Sequence, residues 1–66
     1  MIVKLESENS KEWFDVKYVQ IRVTKENTLL CVHVEQGDYR EIVVRKDSKI
    51  YFMNIHGETI DRVIVK

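Results

Sequence analysis

The sequence predicts an all-β protein, a small antiparallel meander of five to six strands. Segments rich in Val, Ile, Tyr, Phe and Thr, the residue types enriched in strands, alternate with short polar stretches. Two of these stretches contain the only glycines, Gly37 and Gly57, which predict hairpin tips. No proline excludes any segment from the centre of a sheet. The length of 66 residues predicts a single small β-domain, residues 1–66.

The second strand is predicted to be long and bent. After a short first strand, Ile2–Leu5, and a polar loop, Glu6–Lys11, an apolar-rich segment covers Glu12–Thr24. A straight strand of that length spans roughly 43 Å, whereas a domain of this size has a radius of gyration of about 11 Å. The apolar positions change parity at Tyr18–Val19, which predicts a β-bulge or sharp bend there.

The beginning of this segment has an alternative. Asn9, with Glu12 three residues later, has the spacing of a helix-capping pair, so a short helical turn near residues 9–14 is a second hypothesis. The β-branched and aromatic residues after Asp15 disfavour a longer helix.

Alternating polarity predicts the remaining strands, and polar clusters predict the turns between them. The turns are Lys25–Asn27, Gln36–Asp38, Lys46–Ser48 and His56–Glu58. The strands are Leu30–Glu35, Tyr39–Arg45, Ile50–Ile55 and Ile60–Val65.

Two arrangements of these strands are open. The first and last strands are short and apolar, and pairing them would close the sheet and remove its edges. A small barrel of SH3-like or similar shape is therefore the preferred prediction. An open antiparallel sheet that dimerises through one face is the second.

Charge and cysteine content favour a cytoplasmic protein. Eleven basic and eleven acidic residues give a formal net charge of zero, which argues against a dedicated nucleic-acid clamp. The single cysteine, Cys31, excludes an intrachain disulfide and favours a reducing compartment. No signal-peptide pattern and no apolar run of about 20 residues is visible, so we expect no membrane partner.

No pattern in the sequence predicts an enzyme. Motifs for phosphate loops, zinc proteases, serine hydrolases and calcium loops are absent. Cys31 and His33 share a strand face and come nearest to a metal site, with Glu35 and His56 as further candidate ligands. Their spacing does not define a complete site. We therefore expect no catalytic residue, no metal and no cofactor.

The strand Ile50–Ile55 is apolar on both faces. If Ile50 and Phe52 face the core, the residues of opposite parity need another cover. A second copy of the chain is the expected partner, because symmetric dimers are the commonest oligomers. The leading hypothesis is thus a non-enzymatic, protein-binding module that forms a homodimer. Its predicted surface consists of Tyr51, Met53, Ile55 and Val43, with Val63 as an extension.

A basic stretch supports an alternative function, nucleic-acid binding by a small β-barrel. Such proteins combine basic side chains with aromatic rings on which bases stack. The alternative surface consists of Tyr39, Arg40, Arg45, Lys46 and Lys49, with Tyr51 on the strand that follows directly.

Overall fold

In the computed structural model, which describes residues 1–35 and 37–66, the described residues form six strands and no helix. The strands join one antiparallel sheet, which confirms the all-β prediction. Without a helix, the described residues contain none long and apolar enough to span a membrane. The strands are β1 (Ile2–Glu6), β2 (Lys11–Val23), β3 (Thr28–Val34), β4 (Tyr39–Val44), β5 (Lys49–Met53) and β6 (Thr59–Ile64).

Residues 9–14 belong to a β-hairpin, so the alternative of a helical turn there is wrong. Lys11 begins β2 and pairs with Glu6 of β1. The backbone N–H of Ser7 donates to the Ser10 carbonyl at 2.9 Å and closes the loop between the strands. Nucleating a single helical turn is unfavourable, whereas the strand pairs each residue from Lys11 to Asp15 with β1.

The predicted bend in β2 is present, one to two residues before its predicted position. The first part, Lys11–Asp15, pairs with β1, and the part from Val16 onward pairs with β3. The register shifts between Val16 and Tyr18, so Lys17 is the extra residue of a bulge. The longest dimension of the molecule is 32 Å, which a straight strand of roughly 43 Å would exceed.

The bulge explains the change of parity along β2. Phe14 and Val16 are buried before it, and Val19 and Ile21 pack against the same core after it. Without an extra residue, strict alternation would turn Val19 and Ile21 towards solvent. The bulge therefore lets one long strand keep its apolar side chains on the inner face while its direction changes.

The strands are hydrogen-bonded in the order β4-β3-β2-β1-β5-β6, and the sheet is not closed. The predicted pairing of the first and last strands is wrong, because β1 lies between β2 and β5 and uses both of its edges. β6 pairs with β5 and forms one edge of the sheet, and β4 forms the other. The closed barrel is thus not confirmed.

The open sheet is nevertheless curled. Three strands separate β4 from β5 in the hydrogen-bonded order, which corresponds to roughly 19 Å across a flat sheet. Only Arg45–Ser48 joins them, and this connection turns tightly, with the Ser48 N–H donating to the Arg45 carbonyl at 3.2 Å. Asp47 adopts the left-handed conformation in this turn, with φ of 69°. So short a connection requires the two halves of the sheet to bend towards each other.

The inner face of the curled sheet holds the hydrophobic core. Each strand from β1 to β5 contributes at least one buried side chain, and Phe52 and Val63 pack against the core from β5 and β6. The buried apolar residues of this cluster are Val3, Leu5, Phe14, Val16, Leu30, Val32, Val44, Ile50 and Val65.

β5 ends at Met53, two residues before the predicted end at Ile55. Asn54 terminates it: its side-chain oxygen accepts hydrogen bonds from the backbone N–H groups of His56 and Glu58, at 2.9 and 3.0 Å. This Asx-type turn competes with the ladder for the backbone. Ile55 therefore lies in the turn, where 82% of it is exposed.

The turn that contains Gly37 is only partly described. Gln36, which the predicted hairpin tip Gln36–Asp38 includes, lies outside the described residues. On either side of it, Val34 and Asp38 are joined by a backbone hydrogen bond of 3.0 Å, and Gly37 has a φ of 92°. A residue with a side chain is strained at such a φ, which accounts for the glycine.

Candidate interaction face

The bulge at Lys17 divides the outer surface of the sheet into two faces. The tryptophan face is the outer side of β1, β5, β6 and the first part of β2, and it contains Trp13. The histidine face is the outer side of β3, β4 and the second part of β2, and it contains His33. Both faces lie opposite the core, and no other strand covers them in the part of the chain that the structure describes.

The strand registers arrange the tryptophan face in three cross-strand rows, each running from β2 through β1 and β5 to β6. Residues paired across an antiparallel sheet point to the same side, so each row is a line of neighbouring side chains. The rows are Lys11–Glu6–Lys49–Ile64, Trp13–Lys4–Tyr51–Arg62 and Asp15–Ile2–Met53–Thr59.

The middle row alternates aromatic and basic side chains. The Lys4 ammonium lies over the Tyr51 ring, 4.4 Å from its centroid, and 3.8 Å from a carboxylate oxygen of Glu6. Lys4 is therefore already held by a ring and an acid on its own chain. Trp13 lies at the end of the row on β2, and 58% of it is exposed. A large aromatic side chain that is exposed to solvent on a strand is available for contact with a partner.

Apolar side chains occupy the adjoining positions. Ile2 and Met53 are direct cross-strand partners in the row beside Trp13, and both are half-buried. Ile64 is an exposed apolar residue at the β6 end of the row that contains Lys11 and Lys49. Together with Trp13 and Tyr51, these side chains form an apolar band across four strands, which is unusual for a face turned to water.

The tryptophan face contains charges of both signs, with more basic than acidic residues. Four basic residues and two acidic residues lie in the three rows. Glu6 lies between Lys11 and Lys49 in its row, so it is flanked by opposite charge on both neighbouring strands. The face therefore carries a small local excess of positive charge within a chain of zero formal net charge.

The histidine face is a stack of rings. His33 of β3 stacks on Tyr18 of β2 with centroids 3.9 Å apart, and Tyr39 of β4 lies 4.5 Å from His33 on the other side. The Tyr39 hydroxyl donates to Glu41 at 2.7 Å. Hydrogen bonding to Glu41, and then to Cys31, raises the pKa of Tyr39 above its ordinary value. The rings of the histidine face already contact one another, and the Tyr39 hydroxyl already has an acceptor. This face therefore offers fewer free groups to a partner than the tryptophan face.

Charged residues occupy the middle of both edge strands. β4 contains Arg40 and Glu41, and β6 contains Asp61 and Arg62. β6 also has a register irregularity opposite Phe52 and Met53. Charges and bulges on edge strands oppose edge-to-edge pairing with another chain.

The structure brings together only part of the predicted interaction surface. Tyr51 and Met53 lie side by side on the tryptophan face. Val43 lies on the histidine face of β4, at the other end of the sheet, and Ile55 lies in the β5–β6 turn. Val63, expected as an extension, packs against the core instead. Val43 is displaced because β5 pairs with β1 rather than with β4, and Val63 faces the core because its cross-strand partner is Ile50.

The residues of the alternative nucleic-acid surface are also dispersed. Tyr39 lies on the histidine face, and the Arg40 guanidinium lies 5.5 Å from the Phe14 ring centroid. Arg45 and Lys46 lie in the β4–β5 turn, and Lys49 lies on the tryptophan face. Tyr51 is separated from Tyr39 by the β3, β2 and β1 strands.

The sequence prediction missed Trp13 and Ile2 as members of this face. The parity of β2 contained a signal, since Trp13 alternates with the buried Phe14 and so had to point outward. The pairing of β1 with β5, which brings Ile2 beside Met53, had no local signal.

The Cys31–His33 pair lies on the histidine face, and Cys31 is a free, buried thiol. Within residues 1–35 and 37–66, no three His, Cys, Asp or Glu side chains converge as metal ligands. No buried side-chain nitrogen or oxygen of these residues lacks a hydrogen-bond partner.

Comparison with known proteins adds no relative to these observations. No family model, no curated protein and no solved structure matches the chain.

Proposed function

We propose that the protein is a non-enzymatic interaction module that binds protein through the tryptophan face, and that the partner is a second copy of the chain. The observation that carries the proposal is the apolar band formed by Trp13, Tyr51, Ile2 and Met53 on a face opposite the core. Neither Val43 nor Ile55 is needed for this surface.

The composition of the face supports a protein partner. Aromatic residues, Met and Arg are enriched in protein–protein interfaces, and Trp, Tyr and Arg dominate their binding energy. Trp13, Tyr51, Met53 and Arg62 supply these residue types within two adjacent rows. The Lys4 ammonium, a group otherwise unfavourable in an interface, is paired within the chain with Glu6 and with the Tyr51 ring.

The order of residues within each row supports a second copy as the partner. A two-fold axis parallel to the strands, between β1 and β5, lays each row over its own reverse. Trp13 then faces the partner's Arg62, and Lys4 faces the partner's Tyr51.

The same axis also lays the other two rows over their own reverse. Glu6 faces the partner's Lys49, Ile2 faces the partner's Met53, and Lys11 faces the partner's Ile64. Across the three rows, no charged residue meets a like charge. Sheets packed face to face lie about 10 Å apart with strand directions within about 30°, so these pairings hold best near the axis.

The edge strands support association through a face rather than through an edge. Antiparallel pairing of β6 with its own copy, with the axis normal to the sheet, aligns residues of the same parity. Registers centred on the strand then place Asp61 opposite Asp61, or Arg62 opposite Arg62, and like charges directly opposite are destabilising.

Two further properties belong to the proposal. The curled sheet is an incompletely closed small barrel of SH3-like or similar shape, supported by the short Arg45–Ser48 connection between its halves. The location is cytoplasmic, supported by the single, buried thiol of Cys31.

A pair of charge variants tests the two-fold arrangement. Glu6→Lys places a lysine against the partner's Lys49, and Lys49→Glu places a glutamate against the partner's Glu6. Each variant alone is expected to dimerise about tenfold more weakly than the wild type, because two like-charge contacts arise per dimer. Mixed in equal amounts, the two variants have opposite charges at both contacts.

Sedimentation equilibrium of the wild type, of each variant and of the mixture measures the outcome. The proposal predicts a wild-type dimer, weakened single variants, and a mixture that associates more tightly than either variant by itself. In each variant, residues 6 and 49 of one chain keep their like charges in the mixture. Tighter association of the mixture therefore comes from contacts between chains. A wild type that stays monomeric at every concentration, or a mixture no tighter than its components, would contradict the proposal.

A further inference from the structure

A groove at one end of the sheet collects basic side chains from separate parts of the chain. It has a volume of about 470 Å³ and lies between the β2–β3 turn, the β4–β5 turn and the C-terminal residues. Lys25 projects from the first turn, Arg45 and Lys46 from the second, and Lys66 from the end of the chain. Glu26 is the one acidic residue among the described residues that line it.

The basic residues of this groove have no carboxylate partners. The two ion pairs within residues 1–35 and 37–66 are Lys4–Glu6 and Arg22–Glu41, and neither lies in the groove. An excess of cations along a concave surface produces a positive local potential, which raises the local concentration of anions. The groove is thus locally basic, although the whole chain has a formal net charge of zero.

A neighbouring cleft provides an internal comparison. Arg45 and Lys46 also line a cleft of about 850 Å³ on the other side of their turn, together with Lys49. There the three basic residues meet three acidic ones, Glu6, Glu8 and Asp47. The same turn thus faces a balanced cleft on one side and a positive groove on the other.

Hydrogen bonds hold the turns that form the walls of the groove. In the β2–β3 turn the Thr24 N–H donates to the Asn27 carbonyl at 2.8 Å, and the Asn27 N–H donates back to the Thr24 hydroxyl at 3.0 Å. The β4–β5 turn is tied to the C-terminal segment by the Asp47 N–H, which donates to the Val65 carbonyl at 2.8 Å. Lys25, Arg45 and Lys46 therefore lie in two turns that are held by hydrogen bonds.

The groove is shallow and partly apolar. Val23 and Val43, on opposite walls, are 75% and 59% exposed. Among the residues that line it, only Val44 and Val65 are buried and most of the others are exposed, so the groove is open to solvent. A concave, open groove with cations on both walls fits a narrow, repeating polyanion better than a flat membrane surface. Exposed valines also offer apolar contact to unpaired bases, which a duplex keeps stacked inside.

We infer that this groove binds the phosphodiester backbone of a single-stranded nucleic acid, with Lys25 on one wall and Arg45 and Lys46 on the other. The site is separate from the tryptophan face, so each surface is testable without the other. It retains two residues of the alternative nucleic-acid surface, Arg45 and Lys46. In place of the aromatic residues of that surface it has Lys25 of the β2–β3 turn.

Binding of a fluorescent 12-nucleotide oligothymidylate, measured by anisotropy between 20 and 200 mM salt, tests the inference. Three phosphate contacts predict that log K falls with log salt concentration with a slope of about −2. The double variant Arg45→Glu/Lys46→Glu is expected to lose at least tenfold in affinity at low salt and most of the slope. Lys17→Glu, a single charge reversal on the exposed bulge outside the groove, is the control and should stay within about twofold of the wild type.

Several results would overturn the inference. They are the absence of binding at 20 mM salt, an equal loss in Lys17→Glu, or competition by inorganic phosphate, a duplex or anionic vesicles as effective as that by the single strand. If circular dichroism shows that the double variant is unfolded, Lys25→Glu on the other wall replaces it, and about one third of the slope is then expected to be lost. Sedimentation of the same variants separates this site from self-association, because none of these residues lies on the tryptophan face.

Discussion

Replacing Met53 by aspartate should dissociate the dimer without unfolding the chain. Met53 is half-buried on the outer side of β5 and, in the proposed two-fold arrangement, it faces the partner's Ile2. A carboxylate in that position loses apolar contact worth about 1 kcal/mol. It also loses hydration without gaining a hydrogen bond, which costs roughly 1–3 kcal/mol.

Symmetry doubles this effect. Two such contacts exist per dimer, so the loss amounts to roughly 4–8 kcal/mol of association free energy. At about 1.4 kcal/mol per factor of ten, the dissociation constant rises at least about 10³-fold. Within the monomer, a polar substitution at a half-buried strand position costs about 1 kcal/mol of folding stability, so the variant should remain folded.

Sedimentation equilibrium over a wide protein concentration, together with urea denaturation, measures both quantities. Val43→Asp is the matched control, because Val43 is an exposed valine on the outer side of β4 and outside the tryptophan face. It should leave the dissociation constant within about threefold of the wild type. The reasoning is refuted if folded Met53→Asp dimerises like the wild type, or if Val43→Asp dissociates the dimer equally.

Three further predictions concern stability and titration. Ile50→Ala removes a fully buried core side chain and should cost about 2–5 kcal/mol in urea unfolding; a loss below 1 kcal/mol would mean that β5 is not packed as described. Asn54→Ala removes the acceptor of two backbone hydrogen bonds and should lower unfolding free energy by about 1–2 kcal/mol, whereas Asn27→Ala, in a turn held by backbone groups, should change it far less. The folded pKa of Tyr39 is raised above its ordinary 10.0 by Glu41, so its stabilising effect is present below that pH and is lost as pH rises through the folded pKa. Absorbance titration at 295 nm should show Glu41→Gln lowering this pKa, and an unchanged curve would exclude the hydrogen bond as its main cause.

The strand content was predictable because it depends on local signals. Alternating polarity located all six strands to within about two residues, and the change of parity in β2 located the bulge near Lys17. Where a local rule misled, another local contact decided the outcome. The spacing of Asn9 and Glu12 suggested a helical cap, but pairing with β1 satisfies the same backbone.

The topology was not predictable by the same means. The local sequence does not distinguish pairing of β1 with β6 from pairing of β1 with β5, because β5 and β6 are both short and apolar. This choice decides which side chains share a face. It placed Ile2 beside Met53 and Trp13 in one row with Tyr51, and it moved Val43 to the other end of the sheet.

The candidate surfaces were therefore predictable only in part. The extra apolar parity of β5 identified Tyr51 and Met53 from the sequence, and the basic stretch identified Arg45 and Lys46. Lys25 is distant from that stretch in sequence and joins it only because two turns meet at one end of the curled sheet.

The emission of Trp13 tests the central claim most directly. It is the only tryptophan in the chain, it is 58% exposed in the single chain, and it lies in the middle row of the proposed interface. Fluorescence and acrylamide quenching of the unmodified protein, measured from nanomolar to high micromolar concentration, report its burial. The two-fold dimer predicts a blue-shifted emission and weaker quenching as concentration rises, with the same midpoint as dimer formation in sedimentation. Emission and quenching that do not change across the dimerisation range would place the interface elsewhere and contradict the assignment of the tryptophan face.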